Sequence, residues 1–194
     1  YIVDTEPDAV ICAGLSSPVT PEEYVEKVED NTLMDVVAHH KSKPGDVFFL
    51  PAGRIHSIGA GNLLVEVQET SDITYRIYDF GRVDAKTGKP RELHVDLAKD
   101  AIDYNVYPNY ITKPQDLGEG ISELVNCSHF SVWKLTVDGT RTFYPQVDSF
   151  SSITCIEGHL TLEDDRGNKV DLKAGESVLL PAMAKKYTLE GKGS

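Results

Sequence analysis

The pattern that most constrains this chain is a short block that occurs twice. From Lys43 to Gly61 the sequence reads KPGDVFFLPAGRIHSIGAG, and from Lys173 to Ala182 it reads KAGESVLLPA. Lys43, Gly45, Leu50, Pro51 and Ala52 are thus matched by Lys173, Gly175, Leu180, Pro181 and Ala182, at an offset of 130 positions. Each copy opens on a glycine turn, continues through a mostly apolar run and is broken by Pro-Ala. Proline cannot donate to a strand ladder and glycine tolerates positive φ, so the first copy predicts a strand over Asp46–Leu50 and a tight corner at Pro51–Gly53, with His56 opening the next strand. Solenoid repeats recur every roughly 20–50 residues, so this much longer offset points to a duplicated domain. Where the first copy has His56 the second has Lys186, a charged ammonium with no lone pair for a metal. Any chemistry at this corner is therefore expected in the first copy.

Around these blocks the chain reads mainly as short strands. Tyr1–Asp4 and Ala9–Leu15 are apolar runs separated by Glu6-Pro7-Asp8, most simply a hairpin. Thr20 before Pro21-Glu22-Glu23 has the signature of a capping box, which predicts a helix to about Asp30, followed by a second short helix from Thr32 to about His39. Strands are expected at Ile55–Ile58, Leu63–Glu69 and Thr74–Asp79, and a helix at Leu97–Tyr104. Asn105–Gly120, with Pro108, Pro114 and two glycines, reads as a crossing between domains. Beyond it, Phe130–Val137 alternates as a half-buried strand. Phe150–Ile156 and His159–Glu163 read as a hairpin about Glu157-Gly158, and Asp164–Asn168 as the next turn. This organisation places a first domain at 1–104 with a helical insertion at about 20–40, a linker at 105–120 and a second domain at 121–194. The start at Tyr1 partway into a strand, and Tyr187–Gly191 with no closing strand after it, read as a piece cut from a longer protein.

Composition narrows the partners. A net charge of −12 argues against nucleic acid and anionic membrane surfaces, and no run approaches the ~20 apolar residues of a membrane span. Cys12, Cys127 and Cys155 are odd in number and lack a CxxC spacing, as expected of reduced thiols in a cytoplasmic protein.

Taken alone, the candidate functional residues each admit two readings. His56 after a β-turn is either a ligand or a solvated histidine. Arg76, set among aromatics in ITYRIYD, is either a surface charge or a site cation able to fork onto a phosphate or a developing oxyanion. Glu66 alternates with Val65 and Val67, so it points either to solvent or into a barrel. Arg82, Lys89 and Arg91 are either loop charges or phosphate contacts. His39-His40 is explained by capping of a helix end, and Trp133 by a place in the second core.

Gly45, Pro51, Gly53 and His56 in the order Gly-x5-Pro-x-Gly-x2-His resemble the second motif of the cupin β-barrels. Leu64–Arg82, LVEVQETSDITYRIYDFGR, together with IHSIGAG and RELHVDLAKDAIDY, resembles the zinc-dependent mannose-6-phosphate isomerases of the short bacterial kind, and this likeness runs along nearly the whole chain. The resemblance implies an all-β fold with a helical insertion, built of two cupin-type (jelly-roll) barrels, the first incomplete on its N-terminal side and the second degenerate. It implies an isomerase that interconverts mannose 6-phosphate and fructose 6-phosphate, with a small-molecule sugar phosphate as its partner; as a truncated piece the chain would be inactive alone or borrow missing strands from another copy, since open strand edges invite pairing as a homo-oligomer. It also implies zinc as cofactor, held by His56 and by Gln-x-His-Pro and Lys-Thr-Glu-Met-Trp-Tyr segments that do not occur here, with Arg76 and Glu66 lining the site. A non-enzymatic cupin that binds a sugar or a protein through the barrel mouth is the alternative.

Overall fold

The computed structural model describes residues 1–71, 73–145 and 149–194. The chain forms two compact units, Tyr1–Lys113 and Pro114–Ser194.

The first unit contains β1 (Ile2–Thr5), β2 (Val10–Leu15), α1 (Pro21–Glu29), a 3-10 turn (Leu33–Asp35), β3 (Val37–Lys41), β4 (His56–Ile58), β5 (Asn62–Leu64) and α2 (Val95–Ala101). β2 lies at the centre of the sheet β3-β2-β4, while β1 pairs with β5; all these pairings are antiparallel. The period of two sends Ile11 and Ala13 to one face of β2 and Cys12 to the other. Ile11 and Ala13 pack with Ile2, Ala38, Tyr110, Phe48, Leu50 and Leu64. Cys12 instead joins Val19, Tyr24, Leu33, Val36, Val37 and Ala98 beneath the helices. A register shift between Cys12 and Leu15, with Gly14 at φ +75°, turns Leu15 into that second cluster as well. A side chain at Gly14 would also meet the Tyr110 ring at 2.0 Å.

The capping box that predicts α1 is formed. Thr20 Oγ1 accepts from the Glu23 N–H at 3.1 Å, and Glu23 Oε2 accepts from the Thr20 N–H at 2.8 Å. Tyr24 is buried from the underside of α1, edge-on to Tyr104, and this burial first of all, with the charges of Tyr104 and Asp96, pushes its phenol up to about 12. Lys99 of α2 ties back to Glu22 at 2.9 Å.

Several expectations are corrected. β1 and β2 are not a hairpin but go to different sheets, since β1 takes its ladder from the distant β5. His39 and His40 do not end a helix. The helical insertion stops at Asp35, and the β-branched Val36-Val37 pair leads into β3, where the two histidines stand opposite Cys12 and Ile11. Of the strand expected over Asp46–Leu50, only Val47 makes a bridge, to Thr112. The strand expected over Leu63–Glu69 stops at Leu64. Thr74–Asp79 forms no ladder; its Arg76 C=O instead accepts from the His94 N–H at 2.7 Å. The second helix begins at Val95 rather than Leu97. Residues within 105–120 carry structure of their own, with Tyr110 in a core cluster of the first unit and β6 (Gln115–Gly118) in the second.

The second unit continues with β7 (Ile121–Asn126), β8 (Ser131–Leu135), β9 (Val137–Phe143), β10 (Ser151–Thr154), β11 (Gly158–Asp164), β12 (Lys169–Lys173), β13 (Ser177–Leu180) and β14 (Tyr187–Gly193). Its sheets are β6-β7-β8, β10-β13 and β12-β11-β14-β9. The hairpin expected about Glu157-Gly158 is absent, because β10 pairs with β13 while β11 pairs with β12 and β14. Trp133 stands 47% exposed and is no part of the core, which is built instead on Val137, Cys155, Leu160, Leu162, Leu172, Leu180, Ala184 and Leu189.

The glycine turn of the repeated block recurs in both copies. Gly45 and Gly175 have φ of +93° and +90°, and the Asp46 and Glu176 N–H groups donate to the Lys43 and Lys173 carbonyls at 3.1 and 2.9 Å. Arg54 donates its N–H to Pro51 C=O at 3.1 Å, and Ala184 donates to Pro181 C=O at 2.9 Å. The glycine turn and the bond closing the Pro corner thus recur, but the corners differ in backbone: Gly53 lies at φ +85°, whereas the matching Met183 lies outside the positive-φ region, and Arg54 and His56 in one copy stand where Ala184 and Lys186 stand in the other.

Candidate active site

The corner at Pro51–Arg54 sets the position of His56. Gly53 lies at φ +85°, and a side chain there would meet the Ala101 carbonyl at 2.4 Å, so both backbone and space require glycine. The Gly53 C=O accepts from the Asp103 N–H at 2.8 Å, and the Ile55 C=O accepts from the Gly14 N–H at 2.8 Å, stitching both sides of the corner to the body of the unit.

His56 follows on β4 directly opposite Ala13, which puts it on the sheet face of Ile11 and Ala13. The histidine is exposed there, as is Ile58 on the same face. Its Nδ1 lies 2.9 Å from the Arg54 carbonyl. A carbonyl only accepts, so Nδ1 carries the proton and Nε2 keeps a lone pair, which is the form of histidine that binds a metal or accepts from a hydroxyl.

Glu66 is exposed just beyond β5. Leu64 packs against the cluster of Ile11 and Ala13, and the Val65 N–H donates to Tyr1 C=O at 2.9 Å, which ties the chain just before Glu66 to the N-terminal residue. Arg76 is half-buried and anchored elsewhere: its N–H donates to His94 Nδ1 at 3.0 Å and its Nη1 reaches the Glu92 carbonyl at 3.4 Å. None of the hydrogen bonds described for His56 and Arg76 joins either to the other or to Glu66.

The basic residues at 82 and 91 are engaged. Arg82 Nη2 contacts Asp79 Oδ1 at 2.7 Å, Arg91 Nε donates to Asp79 Oδ2 at 2.7 Å, and Arg91 Nη2 also binds Oδ1. The Arg91 hydrogen bonds first, helped by Arg82 and opposed by burial, hold the Asp79 carboxyl well below the usual carboxylate range. These groups line a pocket with Val28, Asn31, Tyr78 and Leu93. Lys89 is exposed on the same loop.

His56 suits a metal as one donor, but among the described residues no three His, Cys, Asp or Glu side chains come together to hold an ion. They do not form a zinc site by themselves.

Sequence reasoning missed the most closely held charge near His56. Arg54 is 13% exposed in its side chain and paired at 3.5 Å with Asp103, itself 20% exposed. Its guanidinium carbon lies 4.6 Å from the Tyr107 ring centre and 5.4 Å from that of Tyr110. The signal available was its place two residues before His56, with alanine at the matching position of the second copy.

Residues 120–194 match the sequence model of the family described as mannose-6-phosphate isomerase, cupin domain. Mannose-6-phosphate isomerase ManA of Bacillus subtilis (strain 168) is 36% identical, over 98% of this chain and 60% of that protein. The crystal structure of the mannose 6-phosphate isomerase from Bacillus subtilis superposes with a TM-score of 0.88 at 31% identity, covering 100% of this chain and 61% of the other. A Salmonella typhimurium mannose 6-phosphate isomerase, solved bound to its substrate and a zinc atom, shares the fold at a TM-score of 0.65 and 16% identity, over 89% of this chain and 47% of the other. The chain thus has the cupin fold, and the resemblance to mannose-6-phosphate isomerases drawn from its motifs, though not their zinc, is borne out as a likeness in sequence and fold. It spans 60% of the length of the curated relatives it matches.

Proposed function

We propose that this chain carries part of the active site of an isomerase that interconverts mannose 6-phosphate and fructose 6-phosphate. What supports this reading is the likeness to the Bacillus subtilis isomerase, sustained along nearly the whole chain and including the corner that presents His56. The reaction moves a proton between neighbouring carbons of the open-chain sugar through a cis-enediol, so the site must hold two adjacent oxygens and offset the charge that develops on one of them.

In this reading Arg76 places its guanidinium beside the enediol oxygen or the phosphate, where its planar donors match either group. Glu66 borders the sugar and accepts hydrogen bonds from its hydroxyl groups. His56 presents Nε2 as one ligand of a zinc ion, for which the described residues supply no full set. The metal would supply polarisation of the sugar oxygens. The three cysteines are free, in keeping with a cytoplasmic setting, and among the described residues no helix is long and apolar enough to cross a membrane.

The test is an isomerase assay on mannose 6-phosphate with zinc present, made on this chain and on the natural protein that carries its sequence. Turnover that falls at least about 100-fold in Arg76→Ala, as removal of a transition-state charge contact gives, supports the reading. Sugar-phosphate binding without turnover in the natural protein would favour a non-enzymatic cupin. Absence of both would overturn the proposal.

A further inference from the structure

The geometry points to Arg54 as the positioning residue of His56: held between Asp103 and the rings of Tyr107 and Tyr110, it fixes the carbonyl that sets the His56 tautomer. The inference rests on reading His56 as a working group of the site.

The ring of His56 is oriented by one described hydrogen bond, from Nδ1–H to the Arg54 carbonyl at 2.9 Å. That carbonyl is only as fixed as the residue bearing it. On the N-terminal side the Arg54 N–H closes the corner onto Pro51 C=O. The neighbouring Gly53 and Ile55 carbonyls are held by the Asp103 and Gly14 N–H groups, and the Arg54 side chain adds a further constraint. Nη2 lies 3.5 Å from Asp103 Oδ2, Nη1 lies 3.5 Å from the Phe49 carbonyl, and the guanidinium plane is covered by two tyrosine rings. Cation–π contact of this kind strengthens as the cation is desolvated, and the Arg54 Nε is buried without a hydrogen-bond partner. The guanidinium is thus held by two hydrogen bonds and by the rings against its plane, with only its Nε left unpaired.

The surroundings are built as a clasp. Asp103 grips the corner twice, with its N–H on Gly53 C=O and its carboxylate on Arg54. Its carboxylate also accepts from the Asn105 N–H at 3.1 Å and from Asn105 Nδ2 at 2.8 Å, and although burial alone would raise its pKa, bonds from Asn105, Tyr107 and Arg54 keep it below the ordinary value and hence charged. The Tyr110 hydroxyl donates to Leu15 C=O at 2.8 Å and accepts from the Leu15 and Tyr107 N–H groups, each at 3.1 Å, so the rings over Arg54 are themselves tied to the end of β2. The second copy of the corner supplies a comparison within the same chain. There an N–H to C=O bond again closes the corner, yet Met183 lacks the positive φ of Gly53, the position of Arg54 is the buried Ala184 and that of His56 is Lys186. The positive-φ corner and the clasp on the arginine occur together with the histidine.

The experiment is long-range proton–nitrogen correlation NMR on the 15N-labelled, metal-free and substrate-free chain, at a pH where imidazole is neutral, with the His56 signals assigned by their loss in His56→Gln. In the wild type His56 is expected as the Nδ1–H tautomer. In Arg54→Met and in Asp103→Asn, which keeps the backbone bond to Gly53, the tautomer ratio is expected to move about fivefold toward Nε2–H, the shift that loss of one ordinary hydrogen bond gives. Arg54→Lys should restore less than the full effect, since an ammonium lacks the planar stacking of guanidinium. An Nε2–H tautomer in the wild type, or an unchanged ratio in folded Arg54→Met, overturns the assignment; should that variant not fold, an unchanged ratio in Asp103→Asn does so. Because no metal, substrate or turnover enters the measurement, a failed isomerase assay leaves this result standing, and the reverse.

Discussion

At the scale of single residues, the strongest electrostatic commitment described in the first unit is made by Asp79. Two guanidinium groups converge on one nearly buried carboxylate, and its pKa is held down by Arg91 first and by Arg82, against burial. A carboxyl whose folded pKa lies below its unfolded value of about 4 contributes stability that is fully present above that value and is lost as pH falls through the folded one. Thermal unfolding followed from pH 6 down to pH 2 should therefore show a steeper loss in the wild type than in Asp79→Asn, which starts from a lower melting temperature at neutral pH because it leaves both arginines short of a counter-charge. Parallel curves would mean that the carboxylate is not linked to folding. The same geometry bears on the phosphate question, since Arg82 and Arg91 meet an anionic ligand only if Asp79 gives up part of its hold on them.

Among the elements, α1 is the one whose sequence and structure agree most closely, because its signal is local. Thr20, Pro21 and Glu23 encode the cap within four residues, and both reciprocal hydrogen bonds are made. Thr20→Ala is expected to cost about 1 kcal/mol, with Thr20→Ser close to neutral, as read from chemical denaturation midpoints; an equal loss in both would assign the effect to packing of the Thr20 methyl instead. Strand pairing was legible only in part for the opposite reason. Val10–Leu15 declares itself a strand, but nothing near it states that its partners are Val37–Lys41 and His56–Ile58 rather than Ile2–Thr5. His39 and His40 look like a helix end until the pairing with Cys12 and Ile11 is known, and His40 in fact turns its Nε2 to the Ala13 carbonyl at 3.1 Å, which the register shift in β2 leaves without a strand partner. The candidate site divides along the same line. His56 was legible because its corner is a local turn motif, whereas the clasp on Arg54 was not, because Asp103, Tyr107 and Tyr110 reach it from about fifty residues away in sequence.

For the whole molecule, the duplication gives one sequence block two differently built corners. Pro51 and Pro181 each open a corner closed by an N–H to C=O bond, but only the first has glycine at positive φ, a clamped arginine and a histidine following it. A single histidine is far from the three protein ligands that a catalytic zinc ordinarily takes, and the described residues gather no group of three. Any ligand that binds only the folded state raises its stability according to concentration over dissociation constant. Zinc at moderate excess should therefore leave the melting temperature of the 194-residue chain unchanged, and a chelator should do the same, although each would shift it by many degrees if a complete site were present. Elemental analysis after dialysis should likewise find well under one zinc per chain. A clear zinc-dependent rise would show that further ligands converge on His56 in solution. Sedimentation of the zinc-loaded sample would then distinguish a site closed within one chain from a site completed by a second copy, since only the latter makes the rise depend on protein concentration.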